Sequence, residues 1–175
     1  MAMDIRVLTS TDYTKLLPEF AERFEKYWGD PFSVYVSNTD IKHWSDGVIQ
    51  FLETAPDYFI LLHEDFYLTK PVDKKLLEFL WDNRKEADRI SLLGNHTPER
   101  TYWNGLFYAH KPEAEYQFSF EASIQKKEFL LKYLKAGLDP WETERVNAKR
   151  ARGTIFSSKE PVLWYEDKSR QLQIQ

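Results

Sequence analysis

Tyr58-Phe59-Ile60-Leu61-Leu62, running straight into His63-Glu64-Asp65, sets the architecture of the chain. Five apolar residues without polar alternation are what a central strand covered on both faces requires. The strand ends in two adjacent carboxylates. In open α/β sheets ligands bind beyond the carboxyl ends of the strands, so Glu64 and Asp65 are the first candidates for chemistry. Mg2+ and Mn2+ take oxygen ligands and need only one or two carboxylates beside a diphosphate. The same two residues also read as a salt-bridged or helix-capping pair at a strand end.

Outward from this strand the pattern alternates. Toward the N-terminus, Ile5 to Thr9 reads as a strand. A helix follows from Thr14 to Trp28, with Leu16, Leu17, Phe20, Phe24, Tyr27 and Trp28 on one face. Gly29-Asp30-Pro31 stops it, Phe32 to Ser37 reads as a second strand, and Trp44 to Ala55 as a second helix ended by Pro56. Toward the C-terminus, Asp73 caps a third helix reaching Ala87, and Arg89 to Gly94 reads as a fourth strand. Strands alternating with helices predict βαβ units and a mostly parallel sheet.

After Asn95 the pattern changes. Residues 95–105 are polar and turn-rich and read as a loop. Short strands are expected at Leu106–His110 and Tyr116–Phe120, and a helix from Ala122 to Lys135 ended by Gly137. Asp139-Pro140 opens a further helix, and Thr154–Ser157 and Val162–Tyr165 read as final strands. With no repeat and no linker, the expectation is one domain over 1–175, a regular half at 1–94 and a decorated half at 95–175.

The 175 residues are 42% hydrophobic and 16% aromatic, enough for a substantial core. A net charge of −4 argues against a nucleic-acid partner. The absence of cysteine excludes disulfides, thiolate metal sites and cysteine nucleophiles. No apolar run approaches the roughly 18 residues of a membrane span, and the first residues lack the pattern of a secretory signal; the expected location is cytoplasmic, with no integral membrane segment. His43, His63, His96 and His110 show no zinc-ligand spacing. P-loop, Gly-x-Gly-x-x-Gly and Gly-x-Ser-x-Gly motifs are missing. The basic residues Arg145, Lys149, Arg150, Arg152 and Lys159 read as a solvated face or as a site for an anion.

The stretch from Tyr58 through Glu64-Asp65-Phe66-Tyr67-Leu68-Thr69-Lys70-Pro71-Val72-Asp73 resembles the acidic-motif strand of a family of small bacterial and phage glycosyltransferase-like proteins. Three further stretches resemble it in the same order: Val7-Leu8-Thr9-Ser10 with Lys26-Tyr27-Trp28, then Trp44-Ser45-Asp46-Gly47, then Phe118 to Glu144 with its close in Pro140-Trp141-Glu142-Thr143-Glu144. The resemblance implies a GT-A-like (nucleotide-diphospho-sugar transferase) fold, a three-layer α/β/α sandwich with a mostly parallel central sheet. It implies that residues 1–94 bind a nucleotide sugar and that 95–175 form the acceptor side.

The roles it implies follow. Asp65 holds Mn2+ or Mg2+ and Glu64 contacts sugar or ribose hydroxyls, although Glu-Asp stands where the fold usually has Asp-x-Asp. Thr9 and Ser10 meet the base and ribose, with a helix cap as the plain alternative. Asn38 contacts the base or sits in a turn. Asp46 approaches the ribose, diphosphate or sugar, or caps the second helix. Glu142 and Glu144 are candidates for the base that takes the acceptor hydroxyl proton, or are ordinary first-turn glutamates. Trp141 forms a wall for the acceptor or anchors its helix. Two other functions fit the same residues: a degenerate, non-catalytic nucleotide- or sugar-binding domain, and a metal-dependent phosphodiesterase built on Glu64 and Asp65.

Overall fold

The computed structural model describes residues 3–37, 41–94, 100–102, 105–111 and 117–167. In chain order the elements are β1 (Ile5–Ser10), α1 (Leu17–Tyr27), β2 (Ser33–Ser37), α2 (Trp44–Thr54), β3 (Tyr58–His63), β4 (Phe66–Leu68) and α3 (Lys74–Asp82). They continue with β5 (Arg89–Ser91), β6 (Arg100–Tyr102), β7 (Phe107–Ala109), β8 (Ser123–Lys126), α4 (Lys127–Tyr133), α5 (Pro140–Ala148), β9 (Ile155–Ser158) and β10 (Tyr165–Asp167).

Eight strands form one sheet in the order β2-β1-β3-β8-β5-β9-β7-β6. Parallel pairing joins β1 to β2 and β3, and β5 to β9. Strands β8 and β7 are reversed against their neighbours, so six of the eight run in one direction. The period of two along β3 divides its apolar run between two cores. Ile60 and Leu62 face α1 and α3, packing with Phe20, Phe24, Leu77 and Leu80. Phe59 and Leu61 face α2 and α4, packing with Val48, Phe51, Phe129 and Leu130. The result is the expected α/β/α sandwich. Strand β4 pairs with β10 in a separate two-stranded sheet, which the Arg23–Glu166 ion pair at 3.1 Å ties to α1.

The elements differ from the sequence expectation where local chemistry overrides periodicity. Helix α1 begins at Leu17 instead of Thr14, after a 3-10 turn over Thr11–Leu16. Pro18 has no N–H to give the Thr14 carbonyl, so α-helical bonding cannot reach back that far. Helix α3 is capped by Asp73, which accepts from the Leu76 N–H at 3.0 Å as expected. It stops at Asp82, and a 3-10 turn over Arg84–Glu86 covers the remaining distance.

The larger difference lies at residues 117–126. No strand occupies 117–120, and the expected start of a helix at Ala122 is instead strand β8, inserted antiparallel between β3 and β5. Ile124 completes the core beneath α1 and α3. Ser123 and Gln125 face the other way, where the Gln125 amide donates to the Ser119 carbonyl and to Ser123 Oγ.

Gly153 is required by close packing. A Cβ there would lie 2.5 Å from Phe129 Cε2 and 3.0 Å from Asp88 Oδ2. The Phe129 ring is buried in the core under α2 and α4. Gly153→Ala is expected to lower stability by about 1–3 kcal/mol, the usual cost of overpacking. Thermal unfolding checks this, and an unchanged midpoint would show that the ring yields.

Candidate active site

Strands β1 and β3 lie side by side in register, Leu8 opposite His63, so their carboxyl ends finish together. Beyond them Thr9 and Ser10 close β1, and Glu64-Asp65 form the turn into β4, fastened by the Tyr67 N–H bonding to the Asp65 carbonyl at 3.1 Å. These four residues form one wall of a cavity of about 480 Å3. The opposite wall comes from the second half of the chain: Phe120, Glu121, Pro140, Trp141 and Glu144. The two-stranded sheet adds Phe66, Tyr165 and Asp167. Rings meet in sequence across the cavity lining, Phe120 on Trp44, Trp44 on His63, His63 on Phe66 and Phe66 on Tyr165, at centroid distances of 4.8, 6.2, 5.6 and 4.7 Å.

The charge of the lining is one-sided. Glu64, Asp65, Glu121, Glu144 and Asp167 are five carboxylates, and among the described residues of the lining there is no lysine or arginine. Glu64 is almost fully buried. Its carboxyl pKa is pushed up to about 8, first by burial and then by the neighbouring Asp65 charge, against opposing hydrogen bonds from the backbone and Thr9. Glu64 Oε2, Asp65 Oδ1 and Ser10 Oγ are buried with no hydrogen-bond partner among the described residues. Three such oxygens on one wall are an unmet demand for a donor or a cation.

The structure brings together Thr9, Ser10, Glu64, Asp65, Trp141 and Glu144 from the residues singled out in the sequence. Asn38 lies outside the described residues. Asp46 is not in the lining; its carboxylate accepts the Gly137 N–H at 3.2 Å and ties α2 to the loop leading into α5. Glu142 is also outside the lining, with its side chain 3.9 Å from Arg145. Helix α5 begins as the sequence predicts, Asp139 accepting from the Glu142 N–H at 2.7 Å. That cap projects Trp141, 63% exposed, into the cavity wall. Glu144 Oε1 accepts from Ser119 Oγ at 3.0 Å and from the Phe120 N–H at 2.8 Å, which fixes this carboxylate.

Glu121, Asp167 and Tyr165 in the lining were not found from the sequence. Glu121 sits where the pattern was read as the join between a strand and a helix, and Asp167 follows a short strand with no motif around it. The one legible signal was Glu121 itself, a lone acid in the alternating apolar and polar run Phe118 to Ile124.

Among the described residues no three His, Asp or Glu side chains gather closely enough to hold a metal ion by themselves. The orphaned Asp65 and Glu64 oxygens fit the other mode, in which one or two carboxylates hold Mg2+ or Mn2+ and the ligand supplies the remaining oxygens.

No protein-family model matches the sequence, and no curated protein matches it. Solved structures do resemble the fold. TarS 1–349 from S. aureus superposes with a TM-score of 0.62 at 13% identity over 97% of this chain, and the same fragment in complex with UDP-GlcNAc gives 0.60 at 11% over 94%. Bifunctional IspDF from Campylobacter jejuni gives 0.54 at 14% over 99% of this chain and 54% of its own. A197 from STIV gives 0.52 at 12% over 92% of this chain and 83% of its own. The chain spans 62% of the TarS fragment and 58% of that fragment in its UDP-GlcNAc complex. No helix among the described residues is long and apolar enough to cross a membrane. At these identities the likeness is one of architecture, and the chain has the GT-A-like fold of nucleotide-sugar transferases.

Proposed function

We propose that this chain is a glycosyltransferase that moves a sugar from a nucleotide-diphosphate sugar to an acceptor hydroxyl, with Mn2+ or Mg2+ bound at Asp65. The observation that carries this reading is the cavity at the ends of β1 and β3. It has three unpartnered oxygens on the donor side and Glu121, Trp141 and Glu144 on the other. Its charge supports the cation. A diphosphate entering a cavity lined by Asp65, Glu121, Glu144 and Asp167, with no lysine or arginine among the described residues of the lining, meets like charge on both walls. A divalent cation held by Asp65, with Glu64 beside it, offsets that charge and the charge that develops on the leaving diphosphate.

The chain's own residues do the rest. In this reading Thr9 and Ser10, at the end of β1 in the lining, hydrogen-bond the nucleoside. Trp141 offers an exposed ring for an acceptor to stack on. In this reading Glu144, whose Oε1 accepts from Ser119 Oγ and the Phe120 N–H, takes the proton from the acceptor hydroxyl as the new bond forms. The phosphodiesterase alternative asks for a lysine near the acidic pair, and none lines the cavity among the described residues.

Calorimetric titration with a panel of nucleotide sugars, with and without Mn2+, tests this. One donor is expected to bind only with the metal, and hydrolysis or transfer assays with that donor then follow. Glu144→Gln is expected to slow transfer by about 100-fold or more, the scale of general-base catalysis, while leaving donor affinity unchanged. Binding without turnover would leave a non-catalytic binding domain; binding of no donor would overturn the reading.

A further inference from the structure

The wall formed by the second half of the chain offers a ligand two carboxylates and a ring. Glu121, Trp141 and Glu144 line it, and Trp141 is 63% exposed. Both hydrogen bonds that Glu144 accepts, from Ser119 Oγ at 3.0 Å and the Phe120 N–H at 2.8 Å, fall on Oε1. Glu121 meets the buried Arg89 through Oε2, 3.3 Å from Nη2. Glu121 Oε1 and Glu144 Oε2 are therefore the oxygens left for a ligand among the described residues. Ser119 Oγ accepts the Glu121 N–H at 3.1 Å, so the two glutamates are fastened to one loop. On the facing wall Ser10 and Glu64, 8% and 6% exposed, hold Oγ and Oε2 with no hydrogen-bond partner among the described residues. The cavity is thus built for a polar ligand from both sides.

The group that suits carboxylate oxygens beside an aromatic face is an ammonium. It donates three hydrogen bonds and accepts none. It bonds a carboxylate more strongly than a hydroxyl does, and it is drawn to the face of an indole ring. A phosphate or carboxylate on the ligand would meet like charge instead, with no lysine or arginine in the lining among the described residues to receive it. We propose that this wall selects an acceptor carrying a primary ammonium, an amino sugar, with Glu121 as the specificity-determining residue. Glu121 Oε1 receives the ammonium and the Trp141 ring receives the face of the sugar. Glu144 Oε2 is left for a hydroxyl. That the amino sugar is an acceptor rests on the function proposed above. Its binding does not, and the test needs no donor.

The Trp141 ring N–H is followed by NMR of the full chain, assigned by its loss in Trp141→Phe, during titration with glucosamine, glucose and glucuronate at about pH 6. Glucosamine is expected to bind at least about 10-fold more tightly than glucose, and glucuronate to leave the signal unmoved. Salt at about 1 M removes most of that preference. Glu121→Gln lowers it by about 3-fold or more. Where that variant, which unpairs the buried Arg89, does not fold, the Glu121 carboxyl carbon of the wild type reads the same contact: it moves with glucosamine and not with glucose. Equal affinity for glucose and glucosamine, binding of glucuronate, or a Trp141 signal that no sugar moves overturns the proposal. So does a preference that survives in folded Glu121→Gln, or one that Mn2+ abolishes, which would seat the ammonium at Asp65. A glucosamine preference in a protein that binds no nucleotide sugar overturns the transferase reading alone. A protein that binds a donor without that preference overturns this proposal alone.

Discussion

Asp65→Ala is expected to weaken Mn2+-dependent binding of the nucleotide sugar by at least about 100-fold, roughly 3 kcal/mol, while the folded protein keeps or gains stability. The size follows from charge. Opposite unit charges about 4 Å apart at an effective dielectric near 20 attract by about 4 kcal/mol, and a divalent ion on a carboxylate exceeds that before its lost hydration is counted. Glu64 is a poor substitute, because burial, the main cause of its raised pKa, remains when Asp65 is gone. The stability gain follows from the same site. Asp65 Oδ1 is buried without a partner among the described residues, and its charge is one of the causes that raise the Glu64 pKa. Removing it relieves both. Calorimetry with the donor and Mn2+, beside a thermal melt, measures the pair of effects. Undiminished affinity in a folded Asp65→Ala protein would remove Asp65 from the metal role.

The wall of the cavity at the ends of β1 and β3 was legible in the sequence because strand burial and strand ends leave strong marks. The unbroken run Tyr58 to Leu62 could only be a covered strand, and whatever followed it had to stand at the ligand-binding edge. Asp73 and Asp139 marked their helices by cap chemistry that local sequence carries in full. The opposite wall, from the second half of the chain, was less legible. Helix α5 buries Thr143 and Asn147, so no apolar stripe shows which of its faces turns inward. From the sequence Glu142 and Glu144 were equivalent, yet only Glu144 reaches the cavity. Strand β8 reads as the first turn of a helix because Ser-Ile-Gln-Lys has no strong strand bias, and its place between β3 and β5 is decided by long-range pairing. Arg89 gave no signal, since a buried arginine becomes intelligible only when Glu121, from a distant segment, is seen 3.3 Å from it.

Glu64 makes the stability of the unliganded protein depend on pH. Its carboxyl pKa is about 8 in the folded chain against an ordinary 4.5, with burial as the main cause. Between those values the folded state holds a proton that the unfolded chain has released. The folded state therefore binds more protons, and stability falls as pH rises through this window. Below the ordinary value both states are protonated and the full stability is present; above about pH 8 it has been lost. Each pH unit costs about 1.4 kcal/mol while the difference lasts. Relaxation of an open cavity reduces the total to roughly 2–4 kcal/mol. Glu64→Gln removes the titration with nearly the same shape, so it is expected to melt close to wild type at pH 5 and well above it at pH 8. Urea unfolding of the two proteins at matched pH values gives that difference directly. If the two stabilities run parallel from pH 5 to pH 8, Glu64 does not hold its proton in the folded state. An ionised Glu64 would then add its charge to that of Asp65 and strengthen the electrostatic case for a cation.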